Sequence, residues 1–419
     1  MFRASVISAF GALVKLIAGF VLLKLIAMIL GPDGLGLMGQ FMSLSNVIIL
    51  LAGGGISTGI IKYVAEYSSN TTKLAHFMSA VSLYAIMSSG LLFIFGFIFT
   101  NKIGFYLFGT NEYNWLILLL FVFQFGMALN NVLLSWVSGH KDIVGTNVIN
   151  VSSTVFSLFL LIPLSYFFEK FGLLAGLAIV PAFPVIISFL YVRKKYPQLV
   201  QWLSPTYNKE YFMRLGRFSL MLIVTVTSLP LVQMILRNDI VSVSNWGVVG
   251  YWQAAIRLSD AYLLFINMVL ANYYMPKLSE LGQGKEQIVT VWRAMLMMMP
   301  IIFSVVSFIW ILRDILIPLL FSDDFIPSYD FIYHQLMGDV FKMLAYIVSY
   351  FAIANAMTKI SIIGDITQAS LFYFIAQYFI AKHGAIGVAE GYTLTYVIYF
   401  IIVFLGFSFY SYHKLRRLN

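Results

Sequence analysis

Apolar runs of about 20 residues, the length that crosses a bilayer as a helix, recur along almost the whole chain. They fall near 5–30, 36–62, 75–99, 113–137, 143–167, 172–192, 212–236, 248–274, 289–311, 331–356, 360–381 and 386–410. The pattern predicts an all-α integral membrane protein of about twelve spans joined by short polar turns, with no soluble domain. Gly31-Pro32-Asp33-Gly34 reads as a tight hairpin between the first two spans. Segments 101–112 and 313–330 read as short amphipathic pieces lying on the outer surface. The longest polar interruption, RKKYPQLVQWLSPTYNKEY at 193–211, falls midway. It predicts a cytoplasmic linker between an N-terminal six-helix lobe, 1–192, and a C-terminal one, 212–419.

The halves carry a faint repeat. Gly36, Leu44, Ser45, Asn46 and Glu66 recur at a shift of 214 as Gly250, Leu258, Ser259, Asp260 and Glu280. LFGTNEY at 107–113 is answered by LFSDDF at 320–325, and Lys170-Phe171-Gly172 by Lys382-His383-Gly384. With an even number of spans per half, the copies share one orientation, as in transporters whose repeats are related by an axis along the membrane normal. The expectation is two parallel six-helix lobes around a central cavity, a carrier that works by alternating access.

Composition sharpens this. The chain is 61% hydrophobic and 10% charged, against about 25% charged residues in soluble domains. With no cysteine, disulfides, thiolate metal sites and cysteine nucleophiles are excluded. The net charge of +9 comes from lysines and arginines at span ends, so it gives no reason to expect nucleic acid as a partner. Seventeen lysines and arginines fall on one side, among them Arg3, Lys62, Lys141, Arg193, Lys194, Lys195 and Arg214; the opposite side carries only five, Lys102, Lys170, Arg237, Arg313 and Lys382. The excess of positive charge places both termini in the cytoplasm. The opening MFRAS lacks a small-residue cleavage site and reads as part of a retained first helix.

Charges inside the spans are the candidate chemistry, because each costs several kcal/mol unless it faces a cavity or a partner. Lys15, Lys24, Arg257 and Lys342 are the cations. At 1.5 Å per residue, Lys15, Arg257 and Lys342 all come to about mid-depth, where a belt of positive charge suits an anion, phosphate or pyrophosphate above all. Lys24, nearer the outer end, is read equally as a cavity cation and as a side chain that snorkels to the interface. Asp260, Asp339, Asp365 and Glu390 are the acids, read either as coupling groups or as ion-pair partners. Arg257/Asp260 and Asp339/Lys342 are both spaced i,i+3 and would lie on one helix face. The amides Gln124, Asn130, Asn131, Asn147, Asn150, Gln253 and Gln368 could meet sugar hydroxyls or hold helices together. Neither a zinc-protease, a nucleophile-elbow nor a phosphate-loop sequence occurs, so no cofactor, catalytic residue or nucleotide hydrolysis is expected.

LVKLIAGFVLLKLIAMILGPDGLGL from Leu13, LSDAYLLF from Leu258, GDVFKMLAY from Gly338 and GDITQ from Gly364 resemble the Wzx-type flippases of the multidrug/oligosaccharidyl-lipid/polysaccharide (MOP) exporter superfamily. The resemblance runs over most of the chain and is similar in flavour to translocases of lipid III and O-antigen units. It implies transport of an oligosaccharide on undecaprenyl pyrophosphate across the Gram-negative inner membrane, into a cation-lined cavity. It assigns Lys15, Lys24, Asp260, Asp339 and Lys342 to that cavity, while Arg257 is carried by the reading of the residues alone. Polysaccharide polymerase and chain-length proteins are the implied protein partners. Three rivals stay open: a multidrug cation antiporter, a polymerase or membrane glycosyltransferase, and a channel.

Overall fold

The computed structural model describes the backbone of residues 2–418 apart from Gln283 and Ala356, and side chains from Gly11 onward apart from those of Asn272, Arg417 and Leu418. Among the described residues the fold is helical throughout. The first helices are α1 (Phe2–Leu51), α2 (Ser57–Tyr67), α3 (Thr71–Phe108), α4 (Asn114–Gly139), α5 (Ile143–Ile179), α6 (Pro184–Lys195) and α7 (Pro197–Trp202). Then come α8 (Lys209–Val243), α9 (Trp246–Val269), α10 (Met275–Glu280), α11 (Lys285–Leu320), α12 (Tyr329–Ala354), α13 (Thr358–His383) and α14 (Gly387–Leu418).

Two of these are pairs joined at a kink. Gly31 (φ 63°) breaks α1 into two spans, a positive φ that glycine tolerates and Pro32 then redirects. Glu169 (φ 46°) breaks α5, whose second part runs through a 3₁₀ turn, Val180–Ala182, into α6. Counted this way, and with α9 added to the apolar stretches, the described residues make twelve helical passes in the order the hydrophobic pattern predicts.

Ends are set by local chemistry. The side chains of Asn70, Asp142 and Asn245 cap α3, α5 and α9 by accepting from the backbone N–H three residues on. Large apolar side chains such as Phe159, Tyr166, Leu220, Ile311 and Phe374 stand exposed on the helices, as a lipid solvent requires. The segments 101–108 and 313–320 are not separate surface pieces: they are the last turns of α3 and α11, because their backbone bonds continue the helix to Phe108 and Leu320.

The chain divides into two compact units. One comprises Met1–Leu25 and Gln40–Pro230, the other Ile26–Gly39 and Leu231–Asn419. The division falls inside α8, at Pro230, and not at the 193–211 stretch. That stretch is packed onto the first unit: Leu199 of α7 is fully buried in a core with Phe77, Trp136, Val192 and Leu215. Ser79 donates to the Trp202 carbonyl at 3.0 Å, and the Thr206 N–H to the Ser79 carbonyl at 3.2 Å. Apolar burial and backbone hydrogen bonds are what a free tether lacks.

A polar network closes the same end of this unit. Asp142 accepts from Lys195 at 2.6 Å, Tyr191 at 2.8 Å, Tyr196 at 3.2 Å and the Gly145 N–H at 3.0 Å. Burial opposes its ionisation. The hydrogen bonds from Lys195, Gly145 and Tyr191 outweigh that, and hold the carboxyl at about 2.

Candidate functional site

The buried ionisable groups gather in the second unit, where α12 packs against α9 and α14. Gly338 makes the approach of α14 possible: a Cβ there would stand 2.5 Å from the Tyr392 ring. The next residue, Asp339, is fully buried. It accepts hydrogen bonds from the Ser259 and Tyr262 hydroxyls of α9 on one oxygen, and from Tyr392 of α14 at 2.6 Å on the other. A carboxylate removed from water needs such a shell, since each unfilled lone pair carries a desolvation cost.

Lys342, one turn further along α12, does not bond Asp339 directly. Its Nζ donates to the Tyr392 hydroxyl at 3.2 Å, and that hydroxyl donates in turn to Asp339. The expected pair is thus bridged by a phenol. Around the ammonium stand three rings, Tyr396 at 5.2 Å, Tyr392 at 5.6 Å and Tyr346 at 5.9 Å from their centroids. Their π faces attract a cation, so Lys342 is held between a negative shell and an aromatic cage. Gln368 of α13 donates to the Tyr396 hydroxyl at 2.5 Å and fixes the far wall of that cage.

Beside the cluster is a cavity of about 660 Å³ between α12, α13 and α14. Tyr346 and Gln368 belong to both; Asp365, Tyr399, Ile363 and Phe407 line the rest. Asp365 is half-buried on this wall.

The other sequence-predicted residues are placed as follows. Arg257 and Asp260 of α9 pair at 3.3 Å, with the carboxylate side chain 54% exposed. Glu390 pairs with His383 at 2.5 Å at the junction of α13 and α14. Lys15, exposed, and Lys24, half-buried, lie on α1 in the first unit.

The first unit's amides serve as helix-to-helix ties. Gln124 donates to the Ser89 carbonyl at 2.9 Å, Asn131 to the Ile49 carbonyl at 2.8 Å, and Asn130 accepts from Ser188 at 2.6 Å. Asn147 bonds back to its own helix at Ile143.

The largest omission of the sequence reading is Arg237. Counted there among outer-side residues, it lies inside α8 and is 1% exposed. Its guanidinium donates to Gln253 at 2.9 Å and stacks over Trp252 at 5.5 Å. The tyrosine cage was also missed. The chain has 25 tyrosines, and spacing alone does not single out the ones that surround a lysine.

Among the described residues, the apolar helical passes with ionisable groups buried among them define an all-α membrane protein. Solved structures share the fold. A multidrug resistance MATE family transporter of the MOP superfamily in its inward-facing conformation superposes with a TM-score of 0.77 at 17% identity, covering 97% of this chain and 99% of that one. The lipid II flippase MurJ, in an inward closed conformation, gives a TM-score of 0.74 at 16% identity, covering 97% and 87%. The profile of the family described as polysaccharide biosynthesis protein matches residues 2–282. Lipid III flippases of Escherichia coli K12 and Shigella flexneri are each 33% identical over 399 residues, 95% of this chain and 96% of theirs. The chain belongs to the polysaccharide biosynthesis protein family.

Proposed function

We propose that this protein is a flippase, a carrier and not a catalyst, that moves an oligosaccharide linked to a polyprenyl diphosphate from the cytoplasmic to the periplasmic leaflet of the inner membrane. Both termini lie in the cytoplasm in this reading, following the positive-charge bias of the loops. The observation that carries it is the 33% identity to lipid III flippases along 95% of the chain. The site chemistry agrees with such a cargo. Arg257 offers a fork and Lys342 a point charge, the two forms of cation that hold phosphate oxygens. The tyrosines and Gln368 around Lys342 present the flat apolar faces and hydrogen-bonding edges that sugars use. Lys15 and Lys24 are proposed to add charge from α1, and Asp339, Asp260, Asp365 and Glu390 to balance or couple it.

The inside-negative potential favours outward movement of an anion by ~2.3 kcal/mol per charge per 100 mV. Collapsing the potential is therefore expected to slow flipping. The deciding experiment is mass spectrometry of lipid-linked oligosaccharides in cells lacking the protein, combined with an assay of leaflet exposure. Accumulation of one complete unit on the cytoplasmic leaflet supports the proposal. Single units that reach the periplasm but fail to lengthen would point to a polymerase instead.

A further inference from the structure

Arg237 occupies a position that packing alone does not require. A guanidinium is among the costliest groups to place inside a membrane unit, and this one is 1% exposed. The fold nevertheless builds a seat for it. Trp252 forms the floor, Gln253 accepts one N–H, and Gly39 forms the lid. A Cβ on Gly39 would lie 2.8 Å from the Gln253 oxygen and 3.3 Å from Arg237 Nε, so no larger residue fits without displacing the pair.

What the seat faces is informative. Gln253, Arg257 and Asp260 are spaced i, i+4 and i+7 on α9 and share one face of it. Side chains one turn apart lie about 5–6 Å from each other, so Arg237, held by Gln253, stands one turn from Arg257. It is within electrostatic range of both Arg257 and Asp260. Arg237, Arg257 and Asp260 together carry one net positive charge. Asp260 pairs with Arg257 at 3.3 Å and its side chain is 54% exposed, so an anion of higher charge arriving from outside can compete with it.

We propose that Arg237 is a positioning residue for a diphosphate subsite centred on Arg257. Its buried charge adds to that of Arg257, and its bond to Gln253 fixes the stripe of α9 from which Arg257 projects. The inference rests on the lipid-diphosphate reading and extends it. Arg257 touches the anion; Arg237 stays behind it and sets the preference for two phosphates over one. A single guanidinium satisfies a monophosphate, whereas the field of a second favours the additional charge of a diphosphate.

The test uses the full chain in detergent, with farnesyl diphosphate and farnesyl monophosphate titrated by calorimetry. The wild type is expected to bind the diphosphate about tenfold more tightly than the monophosphate or better. Arg237→Met is expected to bring the two affinities close to equal, and Arg237→Lys, which keeps the charge, to retain most of the preference. A role confined to packing would change stability and leave that ratio alone. A folded Arg237→Met protein with the wild-type ratio overturns the proposal. If Arg237→Met fails to fold, Gln253→Leu takes its place: a lowered ratio supports the proposal and an unchanged one overturns it. A wild type that binds neither farnesyl phosphate sinks the lipid-diphosphate reading itself together with this inference. Wild-type preference with unaffected variants sinks the inference alone.

Discussion

The two units handle buried polarity in different ways. Among the described residues, the fully buried polar side chains of the first unit are neutral: Gln40, Ser89, Gln124 and Ser188 are examples. The second unit buries an arginine and an aspartate, Arg237 and Asp339, and sets Lys342 in a tyrosine cage beside the latter. Neutral amides and hydroxyls hold helices together for about 0.6 kcal/mol a bond. A buried charge costs several kcal/mol, and it is retained where its own field is put to use. The first unit's buried polarity is thus accounted for by helix-to-helix ties, whereas the charge buried in the second is not.

The sharpest way to break this contrast is at Lys342. Lys342→Met keeps the aliphatic stem and removes the charge, leaving Asp339 with its three hydroxyl donors. Transport per folded molecule is expected to fall by about 100-fold or more if Lys342 contacts the anion as proposed, over and above the lower folded yield that loss of a cation from a buried network brings. A transporting Lys342→Met protein would return the cluster to a structural role. Next in size is Asp339→Ala. Removing one member of a buried charged network costs about 3–5 kcal/mol, so the thermal midpoint of the purified protein should fall sharply and expression with it. A variant of wild-type stability would mean that water already satisfies the three hydroxyls.

The unit with neutral ties should respond differently. Gln124→Leu removes a donor to the Ser89 carbonyl in a site where leucine fits the apolar surroundings. The expected loss is about 1 kcal/mol, a shift of a few degrees in thermal midpoint, with transport per folded molecule unchanged. If Gln124→Leu abolished flipping in folded protein, the first unit's amides would have to be counted as cargo contacts. The division drawn here would then fail.

How much of this was legible follows from what each feature depends on. The twelve passes depend on long-range composition: a span is visible because lipid tolerates little else for about 20 residues. The break at Gly31-Pro32 is written in two residues of strong backbone preference, and the one at Glu169 falls where the apolar pattern lapses between the spans 143–167 and 172–192, at Glu169-Lys170. The Arg257/Asp260 pair is local, i,i+3, and reads directly from the chain. Asp339 and Lys342 share that spacing, yet the structure routes their contact through Tyr392, 50 residues beyond Lys342. Arg237 was misplaced because a positive charge six residues from a helix end suits a loop-facing position as well as a buried one. The information that decides it sits on another helix, in Trp252, Gln253 and the absent side chain of Gly39.

The smallest expected effect lies in the first unit, at its most charged point. Asp142 is held at about 2, against the ordinary carboxylate value near 3.8. A carboxyl whose folded value is depressed contributes stability that is complete above its unfolded value. That contribution disappears as the pH falls through the folded one. The window is therefore between about pH 4 and pH 2. The Asp142 side chain is 10% exposed but Lys195 is 48% exposed, so solvent screens the ion pair, and the full shift overstates the gain. About 1–2 kcal/mol is the reasonable size. Thermal midpoints measured from pH 6 down to pH 2 should drop faster for the wild type than for Asp142→Asn, the two curves converging at the acid end. Parallel curves would mean that the network is screened throughout. The cap to Gly145, which the amide oxygen of asparagine keeps, and bonds that its NH2 can donate to the Tyr191 and Tyr196 hydroxyls would then account for the attachment of α5 to α6.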